Sequence, residues 1–125
     1  MSNVGKVGWV DISVKDASRL HEFYSRVIGW DSSKLKCGEV EDFCMNLPDS
    51  DVTVAGICHA VGDNAKLPPQ WLVYVNVADV AASLKEVLAL GGKVLDGPRK
   101  MGERDFACIQ DPAGAVLALI TADED

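Results

Sequence analysis

The stretch GWVDISVKD, Gly8 to Asp16, alternates strictly. Val10, Ile12 and Val14 fall on one side of a strand and suit a core. Trp9, Asp11 and Ser13 fall on the other, where a large aromatic sits beside a carboxylate. Open to water, that face wastes the tryptophan; buried, it obliges the aspartate to find a partner. A surface that wants both is a small-molecule pocket more readily than a packed core.

Outward from this stretch the chain falls into a simple programme. A strand over Lys6–Val14 ends at Asp16, a good helix N-cap. ASRLHEFYSRVIG then puts Leu20, Phe23, Tyr24, Val27 and Ile28 at helical spacing on one stripe, stopped by Gly29. Strand-like segments follow around 31–37, 41–47 and 52–59, the last two joined by the turn PDSD at Pro48–Asp51. Residues 62–70, GDNAKLPPQ, read as a linker held extended by Pro68 and Pro69.

At WLVYVNVAD, Trp71 to Asp79, the programme restarts. The helix VAASLKEVLALGG carries Val80, Leu84, Val87 and Leu88 on one face and stops at Gly91 and Gly92. Strands are predicted over 93–96, 104–110 and 115–121, with the turn DPAG at Asp111–Gly114. Asp16 lies over Asp79 at an offset of 63, half of the 125 residues. Each half reads βαβββ, so the chain is one α+β domain, 1–125, built from module one (1–61), the linker (62–70) and module two (71–125). One helix covers one sheet face per module, leaving the opposite faces to meet each other or to enclose something. Leu72, Tyr74 and Asn76 are the second module's counterparts of Trp9, Asp11 and Ser13. The other reading of that mixed face is a partly wet oligomer interface.

Composition bounds the function. A formal charge of −7, with the acidic tail ADED at Ala122–Asp125, argues against nucleic acid. No run approaches the ~18 apolar residues of a membrane span. MSNVGKVGW contains no signal-peptide h-region, so a cytoplasmic protein is expected. The four cysteines, Cys37, Cys44, Cys58 and Cys108, form no C-x-x-C pair and read as small buried hydrophobes in a reducing compartment. A reactive thiol is the alternative, but no base or cation is placed beside one.

The paired modules, with VKDASRLHEFYSRVIGW (Val14–Trp30), LGGKVLDGP (Leu90–Pro98) and DPAGAVLAL (Asp111–Leu119), resemble the vicinal oxygen chelate superfamily, the glyoxalase, bleomycin-resistance and extradiol dioxygenase group. The resemblance covers essentially the whole chain. It implies a cupped eight-stranded mixed sheet enclosing a cavity, often in a homodimer. Enzymes of this group hold a divalent metal in the cup as a Lewis acid. Their usual first-strand histidine falls at Trp9, the second-module equivalent at Leu72, and the last-strand glutamate at Ala118, with Gly56 as the first-module match to that last position. None of these side chains holds a cation, so neither metal nor cofactor is expected. Two histidines cannot restore the site. His21 belongs to the first helix as a partly exposed residue, and His59 ends a strand whose preceding residue, Cys58, points the other way. Asp11, Glu103 and Asp105 are not brought together by their spacing.

Ligand contacts are therefore assigned to Trp9, Asp11, Ser13, Leu72, Tyr74, Asn76 and Ala118. Trp9 is read as a stacking surface or as a plug filling the cup, and Tyr74 as a second aromatic wall, a core residue or a dimer contact. Trp30 and Trp71 read as packing residues. Asp11 suits a general base with a raised pKa, a ligand anchor, or a group that satisfies a neighbour. His59 suits a rim proton acceptor or a plain strand-end histidine. Arg99, Lys100 and Arg104, flanking Met101–Glu103, either guide an acidic ligand or are simply solvated.

Three functions remain open: a metal-free binder of a planar or aromatic small molecule, a metal-independent isomerase or lyase using Asp11 and His59, and a plugged module serving dimerisation or partner contact.

Overall fold

A computed structural model of the chain describes residues 2–37 and 40–122. The side chains of Lys36 and Cys37, and the acidic tail past Ala122, lie outside the described residues. The order is β1 (Val7–Val14), α1 (Ala17–Ile28), β2 (Asp31–Cys37), β3 (Val40–Asn46), β4 (Thr53–His59), a 3₁₀ turn (Gly62–Asn64), β5 (Leu72–Val77), α2 (Val80–Ala89), β6 (Lys93–Met101), β7 (Arg104–Gln110) and β8 (Val116–Thr121). The strands hydrogen-bond in the order β2-β3-β4-β1-β5-β8-β7-β6, a mixed sheet of eight. β1 runs parallel to β4 and β5 parallel to β8, whereas the β2–β3, β3–β4, β6–β7 and β7–β8 pairs are antiparallel. The α+β arrangement of paired βαβββ modules is the one the sequence predicts.

The chain forms two compact units. One is Val10–Trp71; the other joins the segment ending at Trp9 to the chain from Leu72 onward. In each, the helix begins where an aspartate caps it. The Oδ1 atom of Asp16 accepts the Arg19 N–H at 3.0 Å, and that of Asp79 accepts the Ala82 N–H at 3.1 Å. Such caps contribute about 1 kcal/mol apiece. Gly29 closes α1 with φ 95°, a left-handed conformation that costs a side-chain-bearing residue energy.

In the Val10–Trp71 unit, α1 packs on Ile12, Phe43, Met45, Ala55 and Ile57, with Val10 and Val14 at the margin. The face used is narrower than the predicted stripe. Ala17, Leu20, His21 and Tyr24 meet the sheet side, while Phe23, Val27 and Ile28 are more than half exposed. His21 is a partly exposed residue of α1, as expected, and the covered side of its ring stacks on Phe43 at 3.8 Å, nearly parallel. The i, i+3, i+4, i+7 set starting at Ala17 is the true contact line. Trp30 and Trp71 are packing residues, as predicted. Their rings lie 6.0 Å apart, and the Trp71 Nε1–H donates to the Tyr24 hydroxyl at 3.0 Å.

In the other unit, α2 buries Val80 and Leu84 against Ala107, Ile109 and Leu119, with Val87 beside them. Leu88, predicted on that face, is exposed. Two further expectations change. Residues 62–70 are not uniformly extended, because a 3₁₀ turn opens them and Leu67 is buried. β6 does not stop at Asp96 but runs on through Gly97 and Pro98 to Met101.

Candidate functional site

The site grows from the strand faces turned away from α2. On β5 these carry Leu72, Tyr74 and Asn76, all buried. β8 sets Ala118 level with Tyr74 and Ile120 level with Asn76. On β7, Ala107 and Ile109 go to the helix, so alternation sends Arg104, Phe106 and Cys108 to the opposite face.

β6 reaches that face by an irregularity. Asp96 pairs with Cys108 and Arg99 with Phe106, so three steps on β6 answer two on β7. The register shifts twice, between Val94 and Asp96 and again at Gly97–Pro98, and together the shifts leave Asp96 and Arg99 on one side although an odd spacing separates them. Gly97 has φ 97°, and a Cβ there would lie 2.7 Å from the Phe106 carbonyl oxygen. Only glycine fits. The Arg99 Nε–H then donates to Asp96 Oδ2 at 3.1 Å, and its guanidinium carbon stands 4.6 Å from the Phe106 ring centre. Tyr74 packs on Phe106 with ring centres 5.6 Å apart. Cys108 is fully buried, and burial, followed by the neighbouring Asp96 charge, pushes its thiol up to about 11, with Arg99 opposing. It is a small neutral hydrophobe here, as the composition suggests.

Beside this packed layer lies a cavity of about 260 Å³. Trp9, Tyr74, Met101 and Ile120 form its apolar walls; Lys6, Arg104, Asn3 and Asn76 supply polar groups, and Gly8 lies beside them. The segment before β1 is stitched to β5, the Gly5 N–H donating to Asn76 O at 2.7 Å and the Asn76 N–H to Lys6 O at 2.9 Å. Arg104 is held from two sides. Its Nε–H donates to Thr121 O at 2.7 Å and its Nη2 to Asn76 Oδ1 at 3.2 Å.

Of the residues expected to meet a ligand, Trp9, Tyr74 and Asn76 line this cavity, while Asp11, Ser13, Leu72 and Ala118 are outside its lining. Ile120 was findable, standing two residues beyond Ala118 on the same face. Asn3 and Lys6 carried no signal, since their place depends on backbone pairing with β5. Of the three loop cations, Arg104 lines the cavity, Arg99 binds Asp96, and Lys100 pairs with Asp105 at 2.9 Å.

In the Val10–Trp71 unit, Asp11 stands level with Gly56 and the buried Ser13 with Cys58. His59 stands level with Val14, three residues from Asp11 and on the alternate face, roughly 10 Å along the strand. Asp11 and His59 are therefore not brought together. The neighbour of His59 is Asp42, whose Oδ1 accepts the His59 backbone N–H at 2.8 Å and lies 3.5 Å from Nδ1. That separation is too long for a good hydrogen bond to the ring, and the buried Nδ1 has no such partner.

The four positions where the resembled enzymes keep metal ligands hold an indole, an isobutyl, a methyl and no side chain at all. None supplies a donor to a divalent cation. Among the described residues, no group of three or more His, Cys, Asp or Glu could hold a metal ion. No helix there is long and apolar enough to cross a membrane.

Comparison with known proteins agrees with this architecture. A glyoxalase-like domain matches residues 9–120. The "Putative glyoxylase CFP32" of Mycobacterium bovis is 29% identical over 118 residues, covering 92% of this chain and 45% of that protein. The "Anthracycline biosynthesis protein DauV" of a Streptomyces species is 28% identical over 116 residues, covering 93% and 41%. The chain thus spans less than half the length of the curated relatives it matches. Among solved structures, a methylmalonyl-CoA epimerase from Mycobacterium tuberculosis shares the fold with TM-score 0.55 at 16% identity, over 99% of this chain and 92% of that one. The match over 9–120, on two βαβββ modules, places this chain in the glyoxalase-like domain family.

Proposed function

We propose that this protein binds a small, flat, partly aromatic molecule in the cavity beside Trp9, without a divalent metal. The observation that carries the reading is the pairing of Trp9 and the buried Tyr74 as walls of one cavity that also holds the amides of Asn3 and Asn76. Aromatic walls with a few placed polar groups are what orient a small ligand. Trp9 stands where relatives of the enzyme type use a histidine, so stacking replaces coordination at that position. The curated relatives' names, a glyoxylase and proteins of anthracycline biosynthesis, both concern small organic molecules.

Turnover by Asp11 and His59 together is not adopted, because the strand register separates them. A cytoplasmic setting is consistent with free Cys44, Cys58 and Cys108. A homodimer would give Phe23, Val27 and Ile28 a partner surface, which light scattering on the purified protein measures directly.

The test is titration calorimetry with the uncharged aromatic 1-naphthamide, alongside elemental analysis. Binding that weakens about tenfold in Trp9→Ala, the scale of one lost stacking contact, supports the reading. Affinity unchanged in Trp9→Ala, or a stoichiometric divalent ion needed for binding, overturns it.

A further inference from the structure

The hydrogen bond from Arg104 decides which way the Asn76 amide points. A guanidinium only donates, so the atom 3.2 Å from its Nη2 is the amide oxygen. The Nδ2 group, with its two N–H donors, is left on the other arm of the amide. Among the described residues the side chain makes no second hydrogen bond, although only 4% of Asn76 is exposed. A donor held in so dry a place without a partner favours whatever supplies an acceptor.

Beside that amide the chain leaves a gap. Gly8 lies within β1 and lines the cavity, although glycine is a poor strand residue. Its backbone is not left-handed, so conformation does not call for glycine there. Steric crowding does not call for it either. A Cβ at Gly8 would meet its nearest atoms, Oδ1 and Nδ2 of Asn76, at 3.5 and 3.6 Å, which are ordinary contact distances. The missing side chain leaves the Asn76 amide uncovered on the side of the cavity that both residues line.

We infer that the ligand of this cavity is an aryl carbonyl compound, whose ring meets Trp9 and Tyr74 and whose oxygen accepts from Asn76 Nδ2 in the space beside Gly8. The inference rests on the binding reading above and adds the ligand's polar group. A carbonyl conjugated to a ring is an acceptor only and lies in the ring's plane. A hydroxyl also accepts, but it brings a proton of its own, and Asn76 Oδ1 already accepts from Arg104.

Three uncharged probes of one shape isolate the oxygen in calorimetric titrations: 1-acetonaphthone, 1-(1-naphthyl)ethanol and 1-isopropenylnaphthalene. The ketone is expected to bind about tenfold tighter than the alkene, with the alcohol between them. Asn76→Asp keeps the shape and the acceptor for Arg104 but removes the donor, so the ketone's advantage over the alkene should vanish. Gly8→Ala should weaken the ketone about tenfold by covering the amide. Its unfolding midpoint should be no lower than the parent's, because alanine suits a strand better than glycine. That variant keeps the test decisive should Asn76→Asp fail to fold. Equal binding of ketone and alkene, both weakened in Trp9→Ala, overturns the carbonyl inference and leaves the binding reading intact. Undiminished ketone binding in Gly8→Ala overturns it too, and an alcohol bound tighter than the ketone overturns the carbonyl class. Failure of all three probes and of 1-naphthamide overturns both readings.

Discussion

Arg104 on β7 and Asn76 on β5 are joined across an intervening strand, the guanidinium Nη2 donating to the amide Oδ1 at 3.2 Å. Since its Nε–H also holds Thr121 O on β8, one side chain ties three strands beside the cavity. Asn76 is nearly fully buried, so its loss leaves polar atoms to be satisfied in a dry place. Asn76→Leu is expected to cost about 1–3 kcal/mol in urea unfolding, and to weaken ligand binding beyond that loss by releasing Arg104. Unchanged stability would show that the amide is not the anchor of this layer.

Gly97 makes a sharper prediction because two constraints coincide there. Its φ of 97° disfavours any side chain, and the added Cβ would stand 2.7 Å from backbone oxygen that cannot swing aside. Gly97→Ala should destabilise by roughly 2–4 kcal/mol. Gly102 is the control, with φ 66° and open space around its missing Cβ. Gly102→Ala should cost only about 1–2 kcal/mol. Thermal unfolding of the two variants side by side checks the difference, and equal losses would remove the steric half of the argument.

The two glycines also mark where the sequence stops being readable. Alternation in GWVDISVKD, the caps Asp16 and Asp79, and the 63-residue offset are local signals, and local signals gave the elements and their order. Trp9, Tyr74 and Asn76 followed from the strand period. Asp96 and Arg99 did not. β6 shifts register twice, between Val94 and Asp96 and again across Gly97–Pro98, so Asp96 leaves the face that alternation from Val94 gives it, and the strand runs on through a Gly-Pro pair that reads as a terminator. The cavity's second cation was invisible for another reason: Lys6 is placed by pairing with a strand about 70 residues away, and no period within the first ten residues records that. His21 and Phe23 show the remaining gap, since helical spacing gives a stripe but not which edge of it meets the sheet.

The Asp96–Arg99 pair is buried on the aspartate side and mostly covered on the arginine side. Removing one partner strands the other's charge, whereas removing both restores neutrality. Asp96→Ala is expected to cost about 3 kcal/mol, and Arg99→Met less because Arg99 also rests on Phe106. The double variant should lose less than the sum, a coupling that a double-mutant cycle in denaturant reads directly. Additive losses would mean the two side chains do not depend on each other.

Cys108 supplies the pH dependence. Burial raises its thiol from the ordinary 9.0 to about 11, and the Asp96 charge adds to that against Arg99. Between those values the unfolded chain gives up its proton while the folded chain keeps it, so the folded state binds more protons and stability falls as pH rises. The contribution is fully present below pH 9.0 and is lost by about pH 11. Cys108→Ala should therefore show a shallower drop in Tm across that window than the parent protein, even if it starts lower from the small void it leaves. Alkylation gives a second check: at pH 8 iodoacetamide should label the partly exposed Cys44 and Cys58 well before the buried Cys108. Asp96→Asn should lower the Cys108 pKa and quicken its labelling, by removing the negative charge that opposes the thiolate. Equal labelling rates in that variant and the parent would show that burial alone sets the thiol.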